Sequence, residues 1–275
     1  MESIPENRLL KLPPGAIENV RKIHNLDKEG RVEEAIKILE EWIQKQDHII
    51  KKDFSKDYLE RILISCKGSV EKSKKQIDRL CTMKTLLPKF FSKVNVKVEL
   101  QHMLEVVLKN IYFPLCSFVF QLSEYIKTHD YVNGYIIIED FSDYITCSNM
   151  FILEGYGARL KSIHLLTDSL AIELLMKTMK LFLSEKIGNR IHFQPTLEDL
   201  HKAVPKAILP LEYGGNEKSI EKLHAEWVEE LSSEKHVEYM KIMNKAGTDE
   251  TKRHEGKFNE EYMGMPGSFR GLSVD

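Results

Sequence analysis

The stretch Gly134-Tyr135-Ile136-Ile137-Ile138-Glu139-Asp140 decides the fold class. A glycine opens it, and the Tyr and three Ile that follow are too few for a buried helix. Aromatic and β-branched residues suit a pleated, enclosed surface, so the run reads as a buried strand. Working outward, Arg159-Leu160-Lys161-Ser162-Ile163-His164-Leu165-Leu166 has a basic start and an apolar finish and reads as a second strand. Phe118-Val119-Phe120, short and apolar, reads as a further one. Helical stretches are expected between and after them, over 99–110, 121–129 and 170–183. Strands separated by helices imply crossover connections, hence an α/β domain with a largely parallel sheet.

Towards the N-terminus the pattern changes. Val32, Ile36, Leu39 and Ile43 recur at spacings of three and four, the stripe of an amphipathic helix. Phe54, Tyr58, Leu59, Ile62 and Leu63 form a second stripe, and Val70, Ile77, Leu80 and Met83 a third. Residues 1–95 therefore read as a helical subdomain, 96–245 as the α/β domain, and 246–275 as an irregular polar tail. Charge divides along the same line. Twenty Lys/Arg face fifteen Asp/Glu in 1–95, against twenty and twenty-seven in 96–275. The excess peaks between Lys67 and Lys93.

Composition excludes several classes. With 42% hydrophobic residues the chain can bury a core and is not disordered. Forty Lys/Arg nearly balance 42 Asp/Glu, which argues against a general nucleic-acid binder. Cys66, Cys81, Cys116 and Cys147 contain no CxxC pair and suit a reduced compartment. No signal peptide is visible, and the most apolar window, 111–122, is too short and interrupted to span a bilayer. A cytoplasmic protein with transient peripheral membrane contact is expected.

Chemistry-bearing motifs are scarce. There is no GxSxG elbow and no P-loop, and Gly155-Tyr156-Gly157 lacks both a third glycine and a following helix. The ten His include no HxxxH pair and the Cys do not cluster, so neither a metal nor a cofactor is expected. His164 and His192 read as satisfied core or boundary residues. Asp140 reads as a strand-end residue. Nothing nominates an enzyme.

Two apolar stripes carry more information. Leu170, Leu174, Leu175, Met179 and Phe182 share one helical face, with Lys177 and Lys180 towards another. Leu197, Leu200, Val204, Ile208 and Leu211 form a looser stripe interrupted by Pro205. Periodicity fits a core helix for the first; the second fits either a lid or a plain surface helix.

Lys180-Leu181-Phe182-Leu183-Ser184-Glu185-Lys186, then Arg190-Ile191-His192, then Leu209-Pro210-Leu211-Glu212-Tyr213-Gly214-Gly215 together resemble the pattern of the CRAL-TRIO family of lipid-transfer proteins, in its tocopherol-transfer-like and retinaldehyde-binding-like branches. The strand segments Gly134–Asp140 and Arg159–Leu166 are similar to the family's GxxxIxD and RxKxIHxIN strands. Leu39-Glu40-Glu41-Trp42-Ile43 and Val70-Glu71-Lys72-Ser73 resemble its helical N-terminal subdomain, and the ending Gly267–Asp275 is similar to tails of insect-type members. The chain departs from the pattern at Ile64-Ser65-Cys66, Leu181, Asp143 and Gly188. Its 140–155 span is also about ten residues shorter than usual.

The resemblance implies a helical N-terminal subdomain and a CRAL-TRIO domain. In that domain a mostly parallel five-stranded sheet and a helical lid enclose an apolar cavity. It implies non-enzymatic binding and intermembrane transfer of a small lipophilic ligand, tocopherol-, retinoid- or carotenoid-like, by a monomer. The cavity is expected to be lined by Phe118, Phe120, Ile136, Ile138, Phe151, Leu166, Leu174, Met179, Phe182, Ile187 and Ile191. The lid, over 196–215, would add Leu200, Val204, Ile208 and Leu211. Lys180, Lys186 and Arg190 match the family's phosphoinositide-binding positions on a membrane-facing side. The alternative is a phosphoinositide-dependent membrane adaptor without a working cavity.

Overall fold

The N-terminal helices begin where the sequence supplies a start signal. Gly15 and Gly30, both in the left-handed region, precede α1 (Ala16–Ile23) and α2 (Arg31–Gln44). Ser55 and Ser69 cap α3 (Lys56–Ser65) and α4 (Val70–Leu86). Their hydroxyls accept from the amides of Tyr58 at 3.2 Å and Lys72 at 3.3 Å, satisfying donors the first turn leaves open. A computed structural model describes residues 9–10, 13–91, 96–97, 112–141, 157, 159–181 and 185–253. After α4 come α5 (Pro88–Phe91), α6 (Tyr112–His129), β1 (Tyr135–Asp140), β2 (Leu160–Leu166), α7 (Leu170–Lys180), α8 (Glu185–Gly188), β3 (Ile191–Gln194) and α9 (Leu197–Ala203). Two 3-10 turns (Lys206–Ile208 and Leu211–Tyr213), α10 (Ile220–Leu231) and α11 (Glu234–Asn244) complete the order, with a last 3-10 turn at Glu250–Lys252.

The described residues form two compact units. The first holds residues up to 133, residues 157 and 159, and 226–253; the second holds 134–141, 160–181 and 185–225.

In the first unit the three stripes interlock. Val32, Ile36, Leu39 and Ile43 of α2, Tyr58, Leu59, Ile62 and Leu63 of α3, and Ile77, Leu80 and Cys81 of α4 share one buried core with Phe120 and Met243. Two polar ties bring α11 into this unit. The buried Lys84 ammonium donates to the Met243 carbonyl at 3.0 Å and lies 3.7 Å from the Glu124 carboxylate, to which Tyr239 also donates, at 3.2 Å. Beyond α11, residues 246–253 hold no element longer than a 3-10 turn but are fastened through Arg253. The Arg253 guanidinium donates to both Asp78 oxygens at 3.0 and 2.9 Å and to Glu250 at 2.6 Å; His48 donates to Asp78 as well, at 2.9 Å. A bridge between Ile49 and Thr248 runs alongside. Asp78 lies 175 positions upstream of Arg253, which is why local composition gave no hint of the anchor. The rest of the expected tail, 254–275, lies outside the described residues.

The strand expected at 118–120 is corrected: these residues lie inside α6. The run from Tyr112 to His129 is unbroken except for Pro114, which sits in the first turn, where a missing N–H costs nothing. An apolar triplet inside an eighteen-residue run cannot be told from a strand by its own periodicity; the length of the run decides for helix.

The second unit is built on the sheet. Its described strands are ordered β1-β2-β3 and all pair in parallel, as expected for crossover connections. Three strands are described where the resemblance implied five. The third, Ile191–Gln194, is too short to register as a strand in the sequence.

Candidate functional site

Register and alternation assign every strand residue to a face. Ile136 pairs with Ser162, Ile138 with His164 and Asp140 with Leu166 across β1 and β2, while His164 and Leu166 pair with His192 and Gln194 of β3. These residues make up one face. The other face carries Ile137 and Glu139 of β1, Ile163 and Leu165 of β2, and Ile191 and Phe193 of β3.

On the first face, Leu200 of α9 with Val204 and Leu209 forms a small closed core against Ile138, Leu197 and Tyr213. The Leu-Pro-Leu-Glu-Tyr-Gly-Gly segment then folds into a tightly bonded turn. The amides of Gly215, Asn216 and Glu217 donate to the carbonyls of Pro210 (3.0 Å), Lys206 (2.9 Å) and Leu209 (2.9 Å). His201 donates to the Tyr213 carbonyl at 2.7 Å. Gly214 is left-handed at φ 64°, and a β-carbon at Gly215 would overlap the Leu209 carbonyl, so both positions require glycine. The Glu212 carboxylate accepts from the Ile220 amide through both oxygens at 2.9 Å, fixing the start of α10. The Tyr213 hydroxyl bonds the Asp140 carboxylate at the end of β1. Burial, and then that negative neighbour, push Tyr213 up to about 12. Asp140 is thus a strand-end partner, as its position suggested. The segment expected as a lid, 196–215, meets the sheet through the Tyr213–Asp140 bond and through the packing of its small core on Ile138.

The same face holds a polar pair. His164 is buried; its Nδ1 accepts from the Gln194 amide at 3.0 Å and its Nε2 donates to Ser162 at 3.0 Å. It stacks on His192 with ring centroids 5.4 Å apart. Burial first, and His192 second, depress its proton affinity, which keeps the ring neutral. His164 is the satisfied core histidine the sequence suggested.

The opposite face is apolar with one exception. Ile163, Leu165 and Ile191 are buried, but between them and the edge stands Glu139. Its Oε1 is shielded from solvent and has no hydrogen-bond partner among the described residues, and burial pushes the carboxyl up to about 7. An uncharged acid on an apolar wall can both donate and accept one hydrogen bond. The end of α7 reaches this face. Lys180 donates to the Ile191 carbonyl at 2.6 Å and lies 5.0 Å from the Phe193 ring centroid.

The outward face of α7 is unusual. Leu170 is 80% exposed, Leu174 67%, Leu175 47% and Leu181, just past the helix, 81%; Met176 turns inward and is buried. The described leucines of the stripe read from periodicity as core-facing, Leu170, Leu174 and Leu175, therefore face solvent. With Ile172 and Met176 on the side away from Leu170 and Leu174, the helix presents two candidate apolar stripes, and periodicity alone cannot choose between them.

The expected lining residues consequently divide. Ile136, Ile138 and Leu166 share the first face, with Leu200 and Val204 packed on Ile138. Ile191 lies on the opposite face, and Ile187 is buried in α8. Phe120 packs in the helical unit, its ring 4.6 Å from that of Phe91. Leu174, Ile208 and Leu211 are exposed. Phe151 and Phe182, and the side chains of Phe118 and Met179, lie outside the described residues. Of the three basic residues, Lys180 is engaged with β3. Lys186 sits half-buried in α8, and Arg190 leads into β3, its carbonyl accepting from the Ile163 amide at 2.8 Å. Sequence reasoning missed Glu139, whose only signal was an acid inside an apolar strand, and Tyr213, whose partner is distant in sequence. Among the described residues no group of three or more His, Cys, Asp or Glu could hold a metal ion, and no helix is long and apolar enough to cross a membrane.

Comparison with known proteins gives two family models. One described as a Pinta-like UBA domain matches residues 28–100, and one described as a CRAL/TRIO domain matches residues 91–215. Among curated proteins the chain is similar to the alpha-tocopherol transfer protein-like proteins of Homo sapiens, Pongo abelii and Mus musculus. Each is 33% identical over 97 residues, which is 30% of this chain and 28% of the relative. The match thus spans well under a third of those relatives' own length.

Proposed function

The chain belongs to the CRAL-TRIO family, and from that premise we propose that it binds a small lipophilic ligand and exchanges it with membranes. The observation that carries the reading is the solvent-facing side of α7, where Leu170, Leu174 and Leu181 stand exposed just ahead of Lys186 and Arg190. Exposed leucines are unfavourable in water and favourable in the headgroup–acyl boundary. Each cation near an anionic surface adds about 1 kcal/mol. The element that meets the membrane in this reading is α7, not the 196–215 segment, whose contacts hold it to the sheet.

The ligand side of the reading rests on the face that bears Glu139. An apolar wall with one carboxyl that holds its proton up to about neutral pH suits a molecule that is apolar over most of its surface and carries a single hydroxyl or carbonyl, the chemistry of tocopherols and retinoids. Burial of such a ligand against this face requires no covalent step. Docking to a phosphoinositide-bearing surface would bring Lys186 and Arg190 to the headgroups.

Vesicle flotation tests the membrane half. The protein should float with phosphatidylcholine vesicles containing a few per cent phosphoinositide and float less with pure phosphatidylcholine. Lys186→Ala with Arg190→Ala should lose the difference. Equal flotation of wild type and double variant on both vesicles would reject the basic docking site.

A further inference from the structure

A buried charge is rare in a folded chain unless an opposite charge or hydrogen bonds offset its desolvation. Arg61, in the middle of α3, is a buried charge of that kind. It is only 9% exposed, its Nε is shielded from solvent, and it makes no hydrogen bond or ion pair among the described residues. Its guanidinium stands over the Tyr131 ring, 4.8 Å from the centroid. Acids lie around it but are turned to other groups. Glu60 accepts from the Arg21 guanidinium at 2.7 Å and from the Tyr131 hydroxyl at 3.4 Å. Asp130, close enough to feel the Arg61 charge, accepts from the Tyr131 amide, and burial pushes its carboxyl up. Asp57, one helical turn before Arg61, is exposed and makes no ion pair with it. Tyr131 is no counter-ion either: burial, and then Glu60, push its phenol up to about 12, so the ring stays neutral.

We propose that Arg61 anchors a carboxylate-binding site in the helical unit, its guanidinium fork receiving both oxygens of a small, singly charged carboxylate alongside the Tyr131 ring. A planar guanidinium meets a carboxylate through two parallel N–H···O bonds, and such charge-assisted bonds are roughly twice as strong as neutral ones. Charge decides between a carboxylate and a phosphate. A phosphate group carries about −1.5 to −2 at neutral pH. Arg21, the neighbouring cation, is already bonded to Glu60, and Glu60 and Asp130 add negative potential of their own. One guanidinium against one carboxylate leaves no excess charge in a shielded place. The shielding of Arg61 also suits a flat group better than a tetrahedral one. The site uses neither face of the sheet and is independent of the proposed carrier role.

The Nε–H resonance of Arg61 in the full chain, assigned by its loss in Arg61→Lys, reads the site directly. Sodium acetate and sodium octanoate are each titrated at about pH 7 against sodium chloride of equal ionic strength. Carboxylate should shift the resonance saturably, and chloride should not. At a roughly hundredfold excess over half-saturation the unfolding midpoint should rise by about 5 °C. Arg61→Lys keeps the charge but loses the fork and should show a small part of that rise; Arg61→Met should show none. Without carboxylate, Arg61→Met should unfold within about a degree of the wild type or above it, because it removes a buried charge that has no counter-ion. A response to acetate identifies a free small carboxylate as sufficient, and a response to octanoate alone identifies the head of a fatty chain. Four results would each overturn the proposal: no saturable shift with either carboxylate, an equal rise in Arg61→Met, a loss of several degrees in that variant without carboxylate, or a larger response to inorganic phosphate.

Discussion

Replacing Glu139 by Gln should make the protein more stable at neutral pH. The carboxyl titrates near 4.5 when exposed and at about 7 in the folded chain, raised by burial alone. The folded state therefore holds its proton where the unfolded state has released it. Stability is full below about pH 4.5 and falls as pH rises through 7, because the folded state binds more protons over that window. At about 1.36 kcal/mol per pH unit the whole shift corresponds to roughly 3 kcal/mol. The side chain is only half-buried, and screening by solvent reduces this to about 1–2 kcal/mol. A glutamine amide at this position would keep the shape without a titrating proton. Thermal unfolding of wild type and Glu139→Gln at about pH 4.5, 6 and 8 measures the effect. The two midpoints should lie close together at the acid end and separate by about 2–4 °C at the alkaline end, the variant higher. Parallel pH profiles would refute the argument that Glu139 is a desolvated carboxyl. A bound ligand that donates a hydroxyl to Glu139 should shrink the separation, since it supplies the missing partner.

Three further outcomes follow from the packing. Gly215→Ala should lower the unfolding midpoint by several degrees, because its methyl group meets the Leu209 carbonyl and the turn cannot yield without breaking the bonds from Gly215, Asn216 and Glu217; an unchanged midpoint would contradict the turn geometry. Lys84→Met should cost about 3–5 kcal/mol in urea unfolding, because it takes the Lys84 ammonium away from the buried Glu124 carboxylate. Adding Glu124→Gln should restore much of the loss, and strictly additive effects would show that the two groups are uncoupled. Leu170→Ser with Leu174→Ser should leave the melting midpoint within about a degree, since both leucines are exposed, yet weaken vesicle flotation severalfold. Unchanged flotation would remove α7 from the membrane contact.

Parts of the fold with strong local signals were legible in the sequence. The isoleucine run of β1, the Arg159–Leu166 strand and the three N-terminal stripes each stand where periodicity placed them. The failures share a physical cause: the deciding partner was distant or the pattern was symmetric. Phe118-Val119-Phe120 is locally indistinguishable from a strand and becomes helical through the length of the run around it. The facing of α7 shows only in the folded chain, where Lys180 reaches the Ile191 carbonyl of β3 and Met176 is buried while Leu170, Leu174 and Leu175 are exposed. Residues 246–253 looked like a tail because their partners, Asp78, Thr85 and His48, lie far upstream. Glu139 was visible as a letter, but the burial of its Oε1 without a partner among the described residues is a property only of the folded chain.

Native mass spectrometry of the purified full chain, before and after incubation with excess phosphatidylcholine vesicles, tests the central claim most directly. A lipid carrier should show one apolar molecule per chain, carrying a single hydroxyl or carbonyl group, present before incubation and depleted into the vesicles afterwards. A chain that emerges without any retained lipid, and takes none up from vesicles loaded with tocopherol or retinoid, would contradict it.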